Sequence, residues 1–307
     1  MMITKYIKWV ASILAAVISL VTISLADITV DHTSGKTSVP LYPKKIVVYD
    51  LASLDNMVRL GVDATFGVID GKKPTYLEYF NGAEYEKMGT RTDPNFEKIA
   101  SFRPDLILVS SRVRSKYEDF SQIAPTLDMT VRYSTILKDI ERNLTILGQI
   151  FGKEKEAKQE IATLHDALAK VRKKTQGKGK ALVIMTSGGK ISAFAPGGRF
   201  DLLHSSFGIP TVTDKISQER HGQLISPEFI FKHNPDWLLV VDRDAAIGQE
   251  GKSAAELLDH KLIHRTKAWE KGQIIYLDPQ SWYLASGNLT GLHNTIKQIG
   301  DAFENSK

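Results

Sequence analysis

The 307-residue sequence predicts an α/β fold of two similar lobes, each a mostly parallel sheet flanked by helices, joined by one long backbone helix. Three observations carry this expectation. "FEKIASFRPDLILV" (96–109) and "PEFIFKHNPDWLLVVD" (227–242) superpose when Pro104 is laid on Pro235, and a glutamate (Glu97, Glu228) precedes each proline by seven residues. In both copies a short amphipathic helix ends at the proline, and Pro-Asp leads into a buried apolar strand. Upstream, strand "KIVVYD" (45–50), a helix and "LGV" (60–62) match strand "ALVIM" (181–185), a helix and "FGI" (207–209) more loosely. Each half therefore reads β-α-β-α-β, the pattern of a mostly parallel sheet covered by helices. Between the halves, 136–174 holds no proline and two glycines, Gly148 and Gly152, with apolar residues at helical spacing. At 1.5 Å per residue it predicts a strut of roughly 50 Å.

Taken in order, the chain opens with Lys5 and Lys8, an uncharged apolar run and "SLA" (24–26), which predict a signal peptide over 1–26 cut after Ala26. The N-terminal lobe is expected over 27–135, the connecting helix over 136–175 and the C-terminal lobe over 176–307. There is no cysteine, which excludes disulfides, a thiol nucleophile and a lipidated cysteine. Together these point to a free periplasmic protein. Without 1–26 the formal net charge falls from +5 to +3, too mild a balance for nucleic-acid binding.

Catalytic constellations are absent: there is no G-x-S-x-G, H-E-x-x-H or Walker A loop. "SGGK" (187–190) and "APGGR" (195–199) lack dinucleotide-binding spacing and read as turns, and the eight histidines show no tight ligand spacing. A binding protein is expected, not an enzyme, with no cofactor of its own.

Ligands of open parallel sheets lie beyond the carboxyl ends of the strands, and that rule picks the candidate residues. Arg112 follows "DLILVSS", Arg199 sits in the "APGGR" turn and Arg243 follows "DWLLVVD"; three guanidinium groups suit an oxygen-rich anion. Their local alternatives are the carboxylates of Asp201, Asp242 and Asp244, and Arg114 competes with Arg112. "LDPQSWYLASGN" (277–288) presents Trp282, either a ligand contact or an interlobe plug, and Tyr283, whose phenol becomes a hard oxygen donor once a ferric ion lowers its pKa. In "ERHGQLISPEFI" (219–230), Gly222 gives the backbone freedom to turn His221 toward a cleft, and Pro227 marks the start of the next helix.

The duplicated Pro-Asp segments and single helical connection resemble the substrate-binding proteins of ABC importers that carry ferric siderophores, haem and vitamin B12. "RHGQLISPE" and "DPQSWYLASGN" are similar to the loops of the branch that binds ferric catecholates of the enterobactin type. That resemblance implies that His221 and Tyr283 complete the coordination of Fe(III) held by a tetradentate bis-catecholate. It also implies that Arg112, Arg199 and Arg243 surround the ligand, and that Glu97 and Glu228 dock the carrier on the permease dimer of the inner membrane; Trp282 is kept among the ligand contacts and the carrier is expected to be a monomer. A haem carrier of the same architecture is the alternative.

Overall fold

Strands of two to seven residues build two five-stranded sheets in the computed structural model, which describes residues 27–217 and 221–306. The signal segment expected over 1–26 lies outside the described residues. A hairpin of β1 (Asp27–His32) and β2 (Gly35–Pro40) comes first.

The N-terminal sheet is parallel throughout, in the order β5-β4-β3-β6-β7. Its strands are β3 (Lys45–Val48), β4 (Thr65–Val68), β5 (Glu86–Lys87), β6 (Leu106–Val109) and β7 (Thr126–Asp128). The central strands β3 and β6 are almost wholly buried, as a sheet covered on both faces requires. The crossover helices include α1 (Leu51–Arg59), α2 (Phe96–Phe102) and α3 (Tyr117–Ser121).

The expected 50 Å strut is two helices. α4 (Ile136–Phe151) packs in the N-terminal lobe, and α5 (Glu154–Thr175) makes the connection. The break is at Gly152, which caps α4 in the left-handed conformation at φ 62°; a Cβ there would lie 2.6 Å from the Tyr42 ring. The helices then run back along one another, with His165 Nε2 2.8 Å from Glu141 Oε1. The 22 residues of α5 span about 33 Å.

The C-terminal sheet has the order β10-β9-β8-β11-β12. Here β8 (Ala181–Ser187), β11 (Trp237–Asp242) and β12 (Ile274–Tyr276) are parallel, whereas β9 (Lys190–Phe194) and β10 (Gln223–Ile225) form antiparallel pairs. The "SGGK" turn joins β8 to β9, as its glycines suggest. The helices here are α6 (Leu202–Ser205), α7 (Pro227–His233), α8 (Arg243–Ile247), α9 (Ala254–Leu258), α10 (Lys267–Glu270), α11 (Pro279–Leu284) and α12 (Leu289–Glu304).

The repeat read from sequence has a mechanical basis. Helices α2 and α7 both end on a left-handed residue, Arg103 (φ 51°) and Asn234 (φ 42°), just ahead of Pro104 and Pro235. The aspartate after each proline ties the strand to its neighbour. Asp105 accepts from the backbone N–H of Lys44 (2.8 Å) and Lys45 (2.9 Å) at the start of β3, and Asp236 accepts from that of Lys180 (2.9 Å) before β8.

One apolar core runs from the N-terminal lobe through α5 into the inner face of the C-terminal sheet, and a second lies behind that sheet. Behind the cleft, the start of α12 is tied to α1: Thr290 N donates to Asp55 Oδ2 (2.8 Å) and Leu289 N to Asn56 Oδ1 (3.2 Å). Tyr76 adds hydrogen bonds to Asn288 (2.5 Å) and Ser281 (3.0 Å). Burial raises the Asp55 carboxyl above its ordinary value.

Candidate functional site

All five strands of the N-terminal sheet point their carboxyl ends the same way, and the turns beyond those ends line a cavity. Asp50 comes after β3, Asp70–Lys72 after β4, Arg91 after β5, Ser110–Arg114 after β6 and Thr130–Tyr133 after β7. The main cleft, about 500 Å³, lies between these loops and Arg199, His221, Tyr283, Leu284 and Ser286 of the C-terminal lobe. A second compartment of about 330 Å³ adjoins it, sharing Arg112, Tyr283 and Leu284.

Tyr283 stands where the two compartments meet, and the three arginines selected from sequence converge on it. The Arg112, Arg199 and Arg243 guanidinium carbons lie 5.2, 4.5 and 5.6 Å from the ring centroid. Arg243 Nε donates to the phenol oxygen at 3.0 Å, and Arg199 Nη2 to the backbone carbonyl of Tyr283 at 3.1 Å. Burial pushes the phenol up, but hydrogen bonds and charge from Arg112 and Arg243 outweigh it, and the group titrates below an ordinary tyrosine.

The local alternatives resolve one by one. Arg243 does pair with Asp244 (3.0 Å), while Asp242 caps α8. Asp201 accepts from Gly197 N at 2.6 Å. Arg114 is held by Asp128 at 3.1 Å, leaving Arg112 as the one of the two against Tyr283.

His221 is exposed on the main cleft two residues before β10. Gly222 behind it has φ 73°, and a Cβ there would lie 2.7 Å from Phe194 Cζ and 2.8 Å from the Ala193 carbonyl; close approach as well as conformation requires glycine. Both Arg199 and His221 come from the ends of the antiparallel β9–β10 pair, not from the carboxyl ends of parallel strands. "DPQSWYL" is a short helix, α11, with Asp278 as cap and Pro279 in its first turn.

Trp282 does not line the main cleft. Its indole donates to Thr295 Oγ1 at 2.9 Å, its ring meets Phe200 edge-on, and it packs on the core. Glu97 and Glu228 are exposed in the first turns of α2 and α7, at matching points of the two lobes.

Four lining residues carried no sequence signal. Arg91, half-buried beside Arg112 and Arg199, comes after a strand of only two residues, too short to register as one. Arg132 and Tyr133 come after β7 and line the cleft, with Arg132 held by Asp139 at 2.6 Å. Asp50 is buried at the cleft floor as the cap of α1; burial raises its carboxyl to about 6, against hydrogen bonds from Ser53 and Ser110.

This architecture is that of the periplasmic binding protein family, to which the chain belongs: the family profile matches residues 46–281. The chain is 38% identical over 282 residues to the petrobactin-binding protein YclQ of Bacillus subtilis, covering 91% of this chain and 89% of that one. The crystal structure of YclQ superposes with a TM-score of 0.88 over 92% of this chain and 100% of the other. This chain is 31% identical over 280 residues to the ferric-anguibactin-binding protein FatB of Vibrio anguillarum, covering 89% of this chain and 86% of that one. The crystal structure of the catecholate-siderophore-binding protein VctP of Vibrio cholerae, 28% identical, superposes with a TM-score of 0.84 over 89% and 99%. These relatives are binding proteins rather than enzymes.

Proposed function

We propose that this protein is the periplasmic, monomeric substrate-binding component of an ABC importer for ferric siderophores, with catecholates as the ligand class. The observation that carries the reading is Tyr283, a phenol held below its ordinary pKa by Arg112 and Arg243 and opening on the same cleft as His221. Siderophore-binding relatives spanning most of the chain support it. Lobes of 27–135 and 176–307 about the connecting segment 136–175 are the corresponding domains.

Among the described residues, no three His, Cys, Asp or Glu side chains form a metal-binding group. Ferric iron must therefore arrive with most of its donors. A siderophore supplying four oxygens leaves two of iron's six octahedral positions, which the His221 imidazole and Tyr283 phenolate fill. A lowered phenol pKa makes that substitution easier, because the proton to be displaced is already loosely held. Arg112, Arg199 and Arg243 then neutralise the catecholate charge. Glu97 and Glu228, exposed at matching points, present one carboxylate per lobe to the permease.

Titration with ferric bis-catecholate, tris-catecholate, hydroxamate and haem, followed by tryptophan fluorescence and the iron charge-transfer band, tests the reading. The bis-catecholate should bind most tightly with a shifted band; preferential binding of hydroxamate or haem would overturn the catecholate assignment. Glu97→Lys with Glu228→Lys should abolish uptake and leave ligand affinity intact.

A further inference from the structure

The compartment on the far side of Tyr283 shares Tyr283 and Arg112 with the main cleft but reaches beyond the iron position of that scheme. It is walled by Lys72, Arg91, Arg112 and Arg243, with Thr90 and Thr92 at its edge. Arg91 sits at the tip of a tight turn in which Thr90 N donates to the Asp93 carbonyl (2.9 Å) and Asp93 N to Thr90 Oγ1 (3.1 Å), so its backbone is held in place. Yet among the described residues its guanidinium has no hydrogen bond and no ion pair. Asp70 also lines the space without pairing with it, and Asp93 is engaged by Lys116 at 3.8 Å.

A half-buried guanidinium beside two others is an unfavourable arrangement unless something negative joins it, because desolvation and like charge both penalise it. Burial first, and then the neighbouring charges of Arg112 and Arg199, bring Arg91 down to about 10. Three other cations near the cleft have carboxylate partners: Arg114 has Asp128, Arg132 has Asp139 and Arg243 has Asp244. Arg91 has none among the described residues, and its five donors lie in one plane suited to a planar oxyanion. About 330 Å³ is room for a pendant group but small for a second whole ligand of the usual pocket size.

We propose that this compartment is a second anion subsite, which takes a carboxylate-bearing arm of the ferric siderophore reaching past Tyr283, and that Arg91 selects for that arm. The inference rests on the catecholate reading and deepens it. The main cleft holds the iron; the second compartment reads what else the ligand carries. A complex with no anion on its linker leaves Arg91 uncompensated and binds less tightly.

The test uses two synthetic ferric bis-catecholates that differ only by one carboxylate on the linker, titrated against the full mature protein, Arg91→Gln and Arg91→Lys. The quantity read is the ratio of the two affinities within each protein. In the unaltered protein the carboxylated complex should bind about tenfold or more tightly than the other, the effect of one charged hydrogen bond. Arg91→Gln should bring the ratio to about one, Arg91→Lys should restore part of it, and the melting temperature should not fall in either. A ratio near one in the unaltered protein, or a preference that survives Arg91→Gln, overturns the subsite while leaving the catecholate reading intact. A lowered melting temperature in Arg91→Gln would mark Arg91 as a structural ion-pair partner and also overturn it. If neither complex binds the unaltered protein, the catecholate reading falls and the subsite with it.

Discussion

The two lobes share a mechanical plan and differ in what they bring to the ligand. In the five-stranded sheet of the N-terminal lobe every strand runs the same way, and the turns beyond β3 to β7 deliver mainly charge: Asp50, Arg91, Arg112, Arg114 and Arg132. In the C-terminal lobe the antiparallel β9–β10 pair and the short helix α11 deliver the candidate metal donors, His221 and Tyr283, along with Arg199. The Pro-Asp step that ties helix, strand and neighbouring strand is the same in both. The duplicated architecture is thus alike where it supports the sheet and unlike where it lines the cleft.

The largest effect should come from removing the donors of the C-terminal lobe. His221→Ala with Tyr283→Ala should cost the ferric bis-catecholate more than the roughly 10–100-fold that losing an outer-sphere partner costs a metal site. It should also shift the charge-transfer band and cost the tris-catecholate far less. Equal losses for both complexes would make the two residues cleft wall and erase the distinction between donor and charge lobes.

Removing the surrounding cations one at a time should come next. Arg112→Ala, Arg199→Ala or Arg243→Ala should weaken ferric-catecholate binding by about 1.5–3 kcal/mol, as for charged hydrogen bonds, with little change in melting temperature. Arg112→Ala and Arg243→Ala should also move the pH at which the iron–phenolate band appears upward, since each arginine now holds the phenol down. An unmoved onset would show that Tyr283 is not the phenolate observed.

Asp50 distinguishes the lobes by stability instead. Its folded value of about 6 lies above that of an unfolded carboxylate, so the native state holds the extra proton between roughly pH 4 and 6 and loses stability as pH rises through that window. Asp50→Asn, which can still cap α1, should therefore raise stability at pH 8 by about 1–3 kcal/mol and hardly change it at pH 4. Thermal melts at the two pH values check this; a gain confined to low pH would reverse the sign and refute it.

The smallest effect should be the most symmetrical. Asp105→Ala and Asp236→Ala each remove a carboxylate that binds backbone N–H groups at a strand start, and each should cost about 1–2 kcal/mol by denaturant unfolding. A large inequality between them would show that the repeat is alike in sequence but not in mechanics.

Legibility in the sequence divides along the same line. The repeat was visible because proline, aspartate and an apolar strand occupy the same register twice. Arg112, Arg243 and Tyr283 were reachable because each comes after a parallel strand. The direction of β9 was not legible, because an apolar run has the same composition whichever way it runs. Arg91 was missed because two residues of β5 carry no periodicity. The break at Gly152 was hidden inside an otherwise helical pattern. Trp282 and Tyr283 read as a pair until the segment folded as a helix, where consecutive side chains point about 100° apart and only one faces the cleft.

The hydrogen bonds from α12 and Tyr76 across to the other lobe make the mouth of this protein a fixed-gauge calliper. To let in an oversized ferric complex by swinging the lobes apart, the chain would have to exchange the cross-lobe hydrogen bonds of Asp55, Asn56 and Tyr76 for bonds to water, at about 0.5–1.5 kcal/mol net for each. Cargo is therefore sized before it is recognised, and a complex that fits loses little of its affinity to rearranging its carrier.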